Sequence, residues 1–232
     1  SLKSRNIQKM IRDGILVVNK PKGITSHDVV DFVRKKLKIK QVGHAGTLDP
    51  IATGVLVILI GKCTKLFNQF LGLDKEYVAT LTLGCRTTSG DIQGEVIEKK
   101  EFNHVKEENV NKALSVFIGE KMQVPPMVSA LKHKGKRLYD LARKGKEVER
   151  APRKIMIKEI SLLKFSLPDI QFKVKCSRGT YVRQLAEDIA DELGCVGFVS
   201  QIERLSIGHF NIKDSLSLSQ VEESQIQPTP VF

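Results

Sequence analysis

Asp49 lies in the stretch GHAGTLDPIATGVLVILIGK, residues 43–62, where glycines 43, 46 and 54, one histidine and one carboxylate lead into six unbroken apolar residues. A tight turn uses an aspartate for local hydrogen bonding, here to cap backbone amides ahead of Pro50, and needs nothing else. The glycines allow more, because they let the backbone come close to something bulky. His44 stands five residues before the carboxylate. A carboxylate at the lip of a buried strand has nucleophilic chemistry open to it. A phosphate loop is excluded, since GxxxxGK must be followed by Ser or Thr. Here six residues separate Gly54 from Gly61, and Cys63 follows Lys62. A second cluster, RGTYVRQL, sets Tyr181 and Arg183 at a glycine break that opens a helix. Taken singly, Arg183 reads as half of a surface ion pair.

The elements that must position these residues follow from periodicity. Ile15 to Val18 reads as a short strand stopped by Pro21 and Gly23. Ser26 then occupies a helix-cap position before Val29, Val30, Val33 and Leu37 at helical spacing. VLVILI is too short and too branched for a helix, which makes it a strand buried on both faces. TKLFNQFL reads as a short helix capped by Thr64. KEYVATLTLG alternates, with Tyr77, Ala79, Leu81 and Leu83 on one face. GEVIEKK is the returning strand of a hairpin, and Val110, Ala113, Leu114, Phe117 and Ile118 mark an amphipathic helix. Residues 121–151 are a basic excursion with one short helix near 138–143. IMIKEISLL and DIQFKVKC are strands, TYVRQLAEDIADELG is a helix, and VGFVSQIERLSIGHF supplies one or two strands more. A last helix is expected to start after Ser219. Few strands alternate with helices, so the expected class is α+β: a mixed, mainly antiparallel central sheet with flanking helices. No repeat or linker divides the chain, and a single domain is expected over residues 1–232.

Bulk properties narrow the function. The four cysteines form no CxxC pair and the five histidines are scattered, so no sequence-local metal site is expected. Isolated cysteines without a signal peptide fit a reducing cytoplasm. No apolar run approaches the roughly 20 residues of a membrane span. The formal charge of +12 is concentrated. Residues 1–45 carry 11 basic against 3 acidic groups, a net +8, and residues 121–158 carry 12 against 3, a net +9. Two such blocks suit a polyanion better than they suit general solubility.

Together these residues carry a resemblance. NKPKGITSHDVV, VGHAGTLDPIATGVLVILIGKCTK, KEYVATLTLG, QVPPMVSALKHKGKRLY and GTYVRQLAEDI stand in the order and approximate spacing of the TruB family of tRNA pseudouridine synthases, over about residues 14 to 210. The resemblance implies an isomerase of the pseudouridine synthase fold. It would act without a guide on uridine 55 in the tRNA T loop, detaching the uracil and rejoining it through C5. No atoms are added, so neither cofactor nor metal is implied. Asp49 matches the catalytic carboxylate, and Arg183 the arginine that pairs with it. Tyr77 matches the tyrosine that stacks on the target base, Tyr181 a pocket tyrosine, and His44 the histidine that helps displace the nucleotide. Lys20 matches a lysine under the active-site floor, and Ile202 stands for the pocket leucine. The excursion at 121–151 matches an RNA-gripping thumb, with Lys132, Lys134, Lys136 and Arg137 on phosphates. Attack at C6, attack at C1′ and abstraction of a sugar proton are all compatible with the aspartate.

The match has departures. Phe198 replaces a histidine, Glu203 a basic residue, and RTTSGD the usual TDTxD, although Asp91 is kept. The C-terminal RNA-binding domain of many bacterial members is expected to be absent. The partner implied is tRNA alone, bound by a monomer. Two rivals are an RNA chaperone without chemistry and a guide-dependent relative working in a ribonucleoprotein.

Overall fold

The computed structural model describes residues 13–129, 132–145 and 147–232. The chain forms two compact units, one running to Leu73 and resuming at Arg204–Phe232, the other spanning Asp74–Glu203.

The first unit is built on strands β1 (Gly14–Lys20), β2 (Val42–Ala45) and β3 (Thr53–Ile60), with helices α1 (Ser26–Leu37) and α2 (Phe67–Gly72). VLVILI is the heart of β3, buried along its whole length, as an apolar run without alternation requires. β1 pairs antiparallel with β3 from Gly14↔Ile60 to Lys20↔Gly54. β2 takes the opposite edge of β3, from Val42↔Ile60 to Ala45↔Val57. Ile15, Val17, Val55, Val57, Leu59 and Phe70 close the core with Ile207 and Phe210 from the returning chain.

α1 begins one residue earlier than expected. Thr25 is the cap: its hydroxyl accepts from the Asp28 amide while the Asp28 carboxylate accepts from the Thr25 amide, a reciprocal capping box. Ser26 is thereby released for another task, described below. Thr64 likewise caps nothing. Residues Gly61–Leu66 form a 3₁₀ turn in which its hydroxyl donates to the Gly61 carbonyl.

The second unit holds β4 (Lys75–Leu83), the ribbon β5 (Cys85–Thr87) and β6 (Val96–Lys99), α3 (Glu107–Val116) and β7 (Gly119–Gln123). Next come the small hairpin β8 (Lys132–His133) and β9 (Lys136–Arg137), α4 (Leu138–Arg143), β10 (Arg153–Ser166), β11 (Asp169–Cys176) and α5 (Val182–Glu192). Strand β12 (Gly197–Ile207) passes from this unit into the first after Glu203, and β13 (Phe210–Asn211) turns back on it. Within the second unit the order is β4-β11-β10-β7, each pair antiparallel. The α+β class with mainly antiparallel pairing therefore holds. Tyr77, Ala79, Leu81 and Leu83 all face the core, as the alternation predicts.

The excursion rises between β7 and β10, whose last and first residues, Gln123 and Arg153, pair at its neck. Ala130, Leu131 and Lys146 of that excursion lie outside the described residues. The helix expected after Ser219 is replaced by two 3₁₀ turns, Leu218–Gln220 and Glu223–Gln225. There the chain lies against β1, with backbone bonds between Ile15 and Gln227 in both directions. Pairing with a strand edge outcompetes a short helix with no apolar face to bury.

Candidate active site

Asp49 sits in the loop between β2 and β3, and its neighbours on both sides are fastened. The Ser26 hydroxyl donates to the Leu48 carbonyl at 3.1 Å and accepts from the Leu48 amide at 2.9 Å. On the other side the Gly23 amide donates to the Pro50 carbonyl at 2.7 Å. A β-turn bond, from the Ala52 amide to the Asp49 carbonyl at 2.9 Å, completes the hold. The carboxylate thus projects from backbone that cannot drift, which is what a reacting group needs.

Beneath this loop lies Lys20, with none of its surface exposed. Its ammonium donates to the carbonyls of Ile24 at 2.7 Å, Pro21 at 2.9 Å and Pro50 at 3.4 Å. Burial pulls its pKa down to about 8, while Asp49 and Asp28 push it back up and Arg204 lowers it further. Arg204 is the unforeseen member. It is 1% exposed, and its guanidinium donates to the Val55 carbonyl and the Gly46 carbonyl, both at 2.8 Å. It therefore ties the two ends of the Asp49 loop together. Gly54 makes room for this residue, whereas Gly46 lies at ordinary contact distance from it. A Cβ on Gly54 would lie 2.2 Å from the Arg204 carbonyl oxygen, and one on Gly46 would lie 3.5 Å from its guanidinium. Gly43, in contrast, faces nothing closer than 3.9 Å.

His44, on β2, is half-buried. Burial lowers its pKa, and Arg204 and His27 add to the effect, so the ring is neutral at pH 7. Its Nδ1 is buried with no hydrogen-bond partner among the described residues. A neutral, half-exposed imidazole suits stacking better than ion pairing.

In the second unit, Tyr181 is the N-cap residue of α5, and Arg183 follows in its first turn. Arg183 is 6% exposed, and its guanidinium donates to the carbonyls of Val128 at 2.7 Å and Ser89 at 2.9 Å. Asp91 secures the Ser89 loop, accepting from the Ser89 hydroxyl at 2.6 Å and the Gln93 amide at 2.9 Å. Gln123 grips the backbone of Tyr181 from the end of β7. Arg86 holds the outer side of α5, reaching Asp191 at 2.7 Å and Glu187 at 3.6 Å while also bonding Glu98 at 3.0 Å. Burial raises the carboxyls of Glu187 and Asp188.

The remaining predicted residues are placed as follows. Tyr77 is buried near the start of β4, opposite Val174 of β11. Ile202 is half-buried on β12. Lys132 pairs with Arg137 in the β8–β9 hairpin, where Lys134, Lys136 and Arg137 are exposed. Asp49, Lys20 and His44 thus gather in the first unit, around Arg204, and Tyr181 and Arg183 gather in the second, around Gln123. Ser26, Arg204 and Gln123 escaped the sequence. Adjacent Thr25 and Ser26 gave a signal for Ser26, because only one of two hydroxyls can cap.

Comparison with known proteins identifies the family. Residues 34–182 match the profile of the TruB family pseudouridylate synthase N-terminal domain. The tRNA pseudouridine synthase B of Clostridium tetani is 47% identical over 93% of this chain and 74% of its own length. That of Opitutus terrae is 44% identical over 90% of this chain and 87% of its own. Among solved structures, a Cbf5-Nop10-Gar1 complex gives a TM-score of 0.74 at 29% identity, covering 97% of this chain. An H/ACA RNP bound to a substrate RNA containing 2′-deoxyuridine gives 0.70 at 26%. This chain spans 62% of the length of each of those two solved chains. The profile defines the class as pseudouridylate synthase. Within that class, the chain belongs to the TruB family.

Proposed function

We propose that this chain converts uridine 55 in the T loop of tRNA to pseudouridine, in the cytoplasm and without a guide. The observation that carries the reading is the Asp49 loop, fastened at Leu48 and Pro50 on either side of one carboxylate. In this reading the uridine leaves its stack, at a cost of a few kcal/mol, and stacking on Tyr77 and His44 returns about 1–3 kcal/mol per base. Asp49 then acts on the everted nucleotide, and Arg183 takes the part of the arginine that the family resemblance assigns to the reaction. Lys20 and Arg204 hold the loop from below. The exposed cations of the β8–β9 hairpin take phosphates, which give affinity and register but no sequence information. Relatives named tRNA pseudouridine synthase B support tRNA as the substrate.

The test is tritium release from tRNA labelled at uracil C5. Wild-type protein is expected to release tritium, and Asp49→Asn and Asp49→Ala are expected to release none while binding RNA within about tenfold of wild type. Product formation near the wild-type rate in either variant would remove Asp49 from the chemistry. Using an unmodified transcript with no other component also separates this reading from guide-dependent action and from chaperoning alone.

A further inference from the structure

Gln123 is 3% exposed and is the last residue of β7, at the foot of the basic excursion. Its side-chain amide bonds both backbone groups of one residue. The Tyr181 amide donates to Oε1 at 2.9 Å, and Nε2 donates to the Tyr181 carbonyl at 3.1 Å. Such a cyclic pair needs a donor and an acceptor at fixed separation, which Gln offers and an apolar residue of equal volume does not. The site is chemically specific as well. Tyr181 is the N-cap of α5 and has no side-chain cap bond of its own, and its carbonyl also accepts from the Leu185 amide at 3.0 Å. Its backbone therefore sets where the first turn of α5 starts, and Arg183 is the second residue of that turn. A further tether leaves the same stretch of chain five residues later, where the Val128 carbonyl accepts from Arg183 at 2.7 Å. One tether fixes the backbone from which the arginine springs, and the other fixes its guanidinium.

We propose that Gln123 is a positioning residue for the Tyr181–Arg183 segment, joining the root of the RNA-gripping excursion to the cation used in the reaction. The proposal rests on the pseudouridine synthase reading above for its kinetic consequence, but its structural content stands apart from it. A small error in the position of a charged group costs on the order of 100-fold in rate. RNA affinity, which the exposed basic residues supply, should hardly change.

Two variants test this. In Gln123→Met, exchange of the Tyr181 amide should rise at least about tenfold while β4 and β11 amides keep their protection. Its single-turnover tritium release should fall about 10- to 100-fold, with tRNA affinity within about threefold of wild type. Gln123→Glu adds a readout that loss of packing cannot mimic. A neutral carboxylic acid reproduces the donor and acceptor of the amide, whereas a carboxylate turns a second acceptor toward the Tyr181 carbonyl. Burial at this position raises the pKa of a glutamic acid, against the opposing pull of Lys121 on β7, Arg153, the strand partner of Gln123 on β10, and Arg183 in the first turn of α5. The activity of Gln123→Glu relative to wild type should therefore climb as pH falls from about 8 to about 6. Unchanged Tyr181 exchange in Gln123→Met overturns the proposal, as does a wild-type rate in that variant. A flat pH ratio for Gln123→Glu, with rate and affinity falling together, overturns it too. If wild-type protein releases no tritium, the functional reading fails, and amide exchange alone decides whether Gln123 holds Tyr181.

Discussion

Lys20 shows how one residue type serves both stability and the site. A fully buried ammonium with three carbonyl acceptors is tolerable, but desolvation still lowers its pKa to about 8 from 10.5. Between those two values the unfolded chain holds more protons than the folded one, so stability rises with pH across the window. The full effect is about 3 kcal/mol, from about 1.4 kcal/mol per unit. Urea unfolding of wild type and Lys20→Met should therefore diverge from pH 8 upward, wild type gaining about that amount by pH 10.5. Parallel profiles would mean that Lys20 titrates like an exposed lysine. The carbonyl of Pro50 is one of its acceptors, so deprotonation weakens one fastening of the Asp49 loop. If Asp49 carries the reaction, turnover should fall over the same range in which stability rises.

At the scale of elements, the contact of β3 with the last residues of β12 sets the geometry of that loop. Gly54 has φ +106°, and a Cβ there would meet the Arg204 carbonyl oxygen at 2.2 Å and its amide nitrogen at 2.7 Å. Both obstacles are backbone and cannot swing aside. Gly54→Ala should cost about 3–5 kcal/mol and should lower turnover in whatever folds, because Arg204 must move away from Gly46 and Val55. Gly179→Ala, at φ +78° with nothing within 4 Å, is the control and should cost only about 1–2 kcal/mol. Thermal melts of the two variants decide the matter, and equal costs would show that strain rather than strand contact governs Gly54. The same element shows what a sequence conveys. β3, β4 and α5 announce themselves by periodicity, since each buries a face or a whole run. Asp49 and the Tyr181–Arg183 pair stood out because they sit among glycines at element ends. Arg204 did not, because an arginine in IERLS reads as a solvated strand residue, and its partners are carbonyls that carry no residue identity. Gln123 stayed hidden for the same reason: the groups it binds belong to the backbone of Tyr181, not to its side chain.

For the molecule as a whole, the uneven charge has a measurable consequence. The net +9 over residues 121–158 includes the β8–β9 hairpin, where Lys134, Lys136 and Arg137 are exposed around a tight turn at Lys134 and Gly135, both at positive φ. Each phosphate contact releases condensed counterions, so the logarithm of the RNA affinity falls with that of salt by about 0.9 per contact on duplex and about 0.7 on single strands. Replacing Lys132, Lys134, Lys136 and Arg137 together by glutamine should flatten that slope by about 3 and weaken binding most at low salt. The modified position should not change, because phosphate contacts fix register without reading bases. Binding measured across a salt series, with pseudouridine mapped in the product, separates two cases. A flattened slope with the same modified uridine places the RNA backbone on the hairpin. An unchanged slope would move that contact to the other basic block, residues 1–45, and leave the hairpin lysines as a solvated edge. The second outcome would also weaken the link between RNA grip and Arg183, since the excursion that β7 leads into would then carry no RNA.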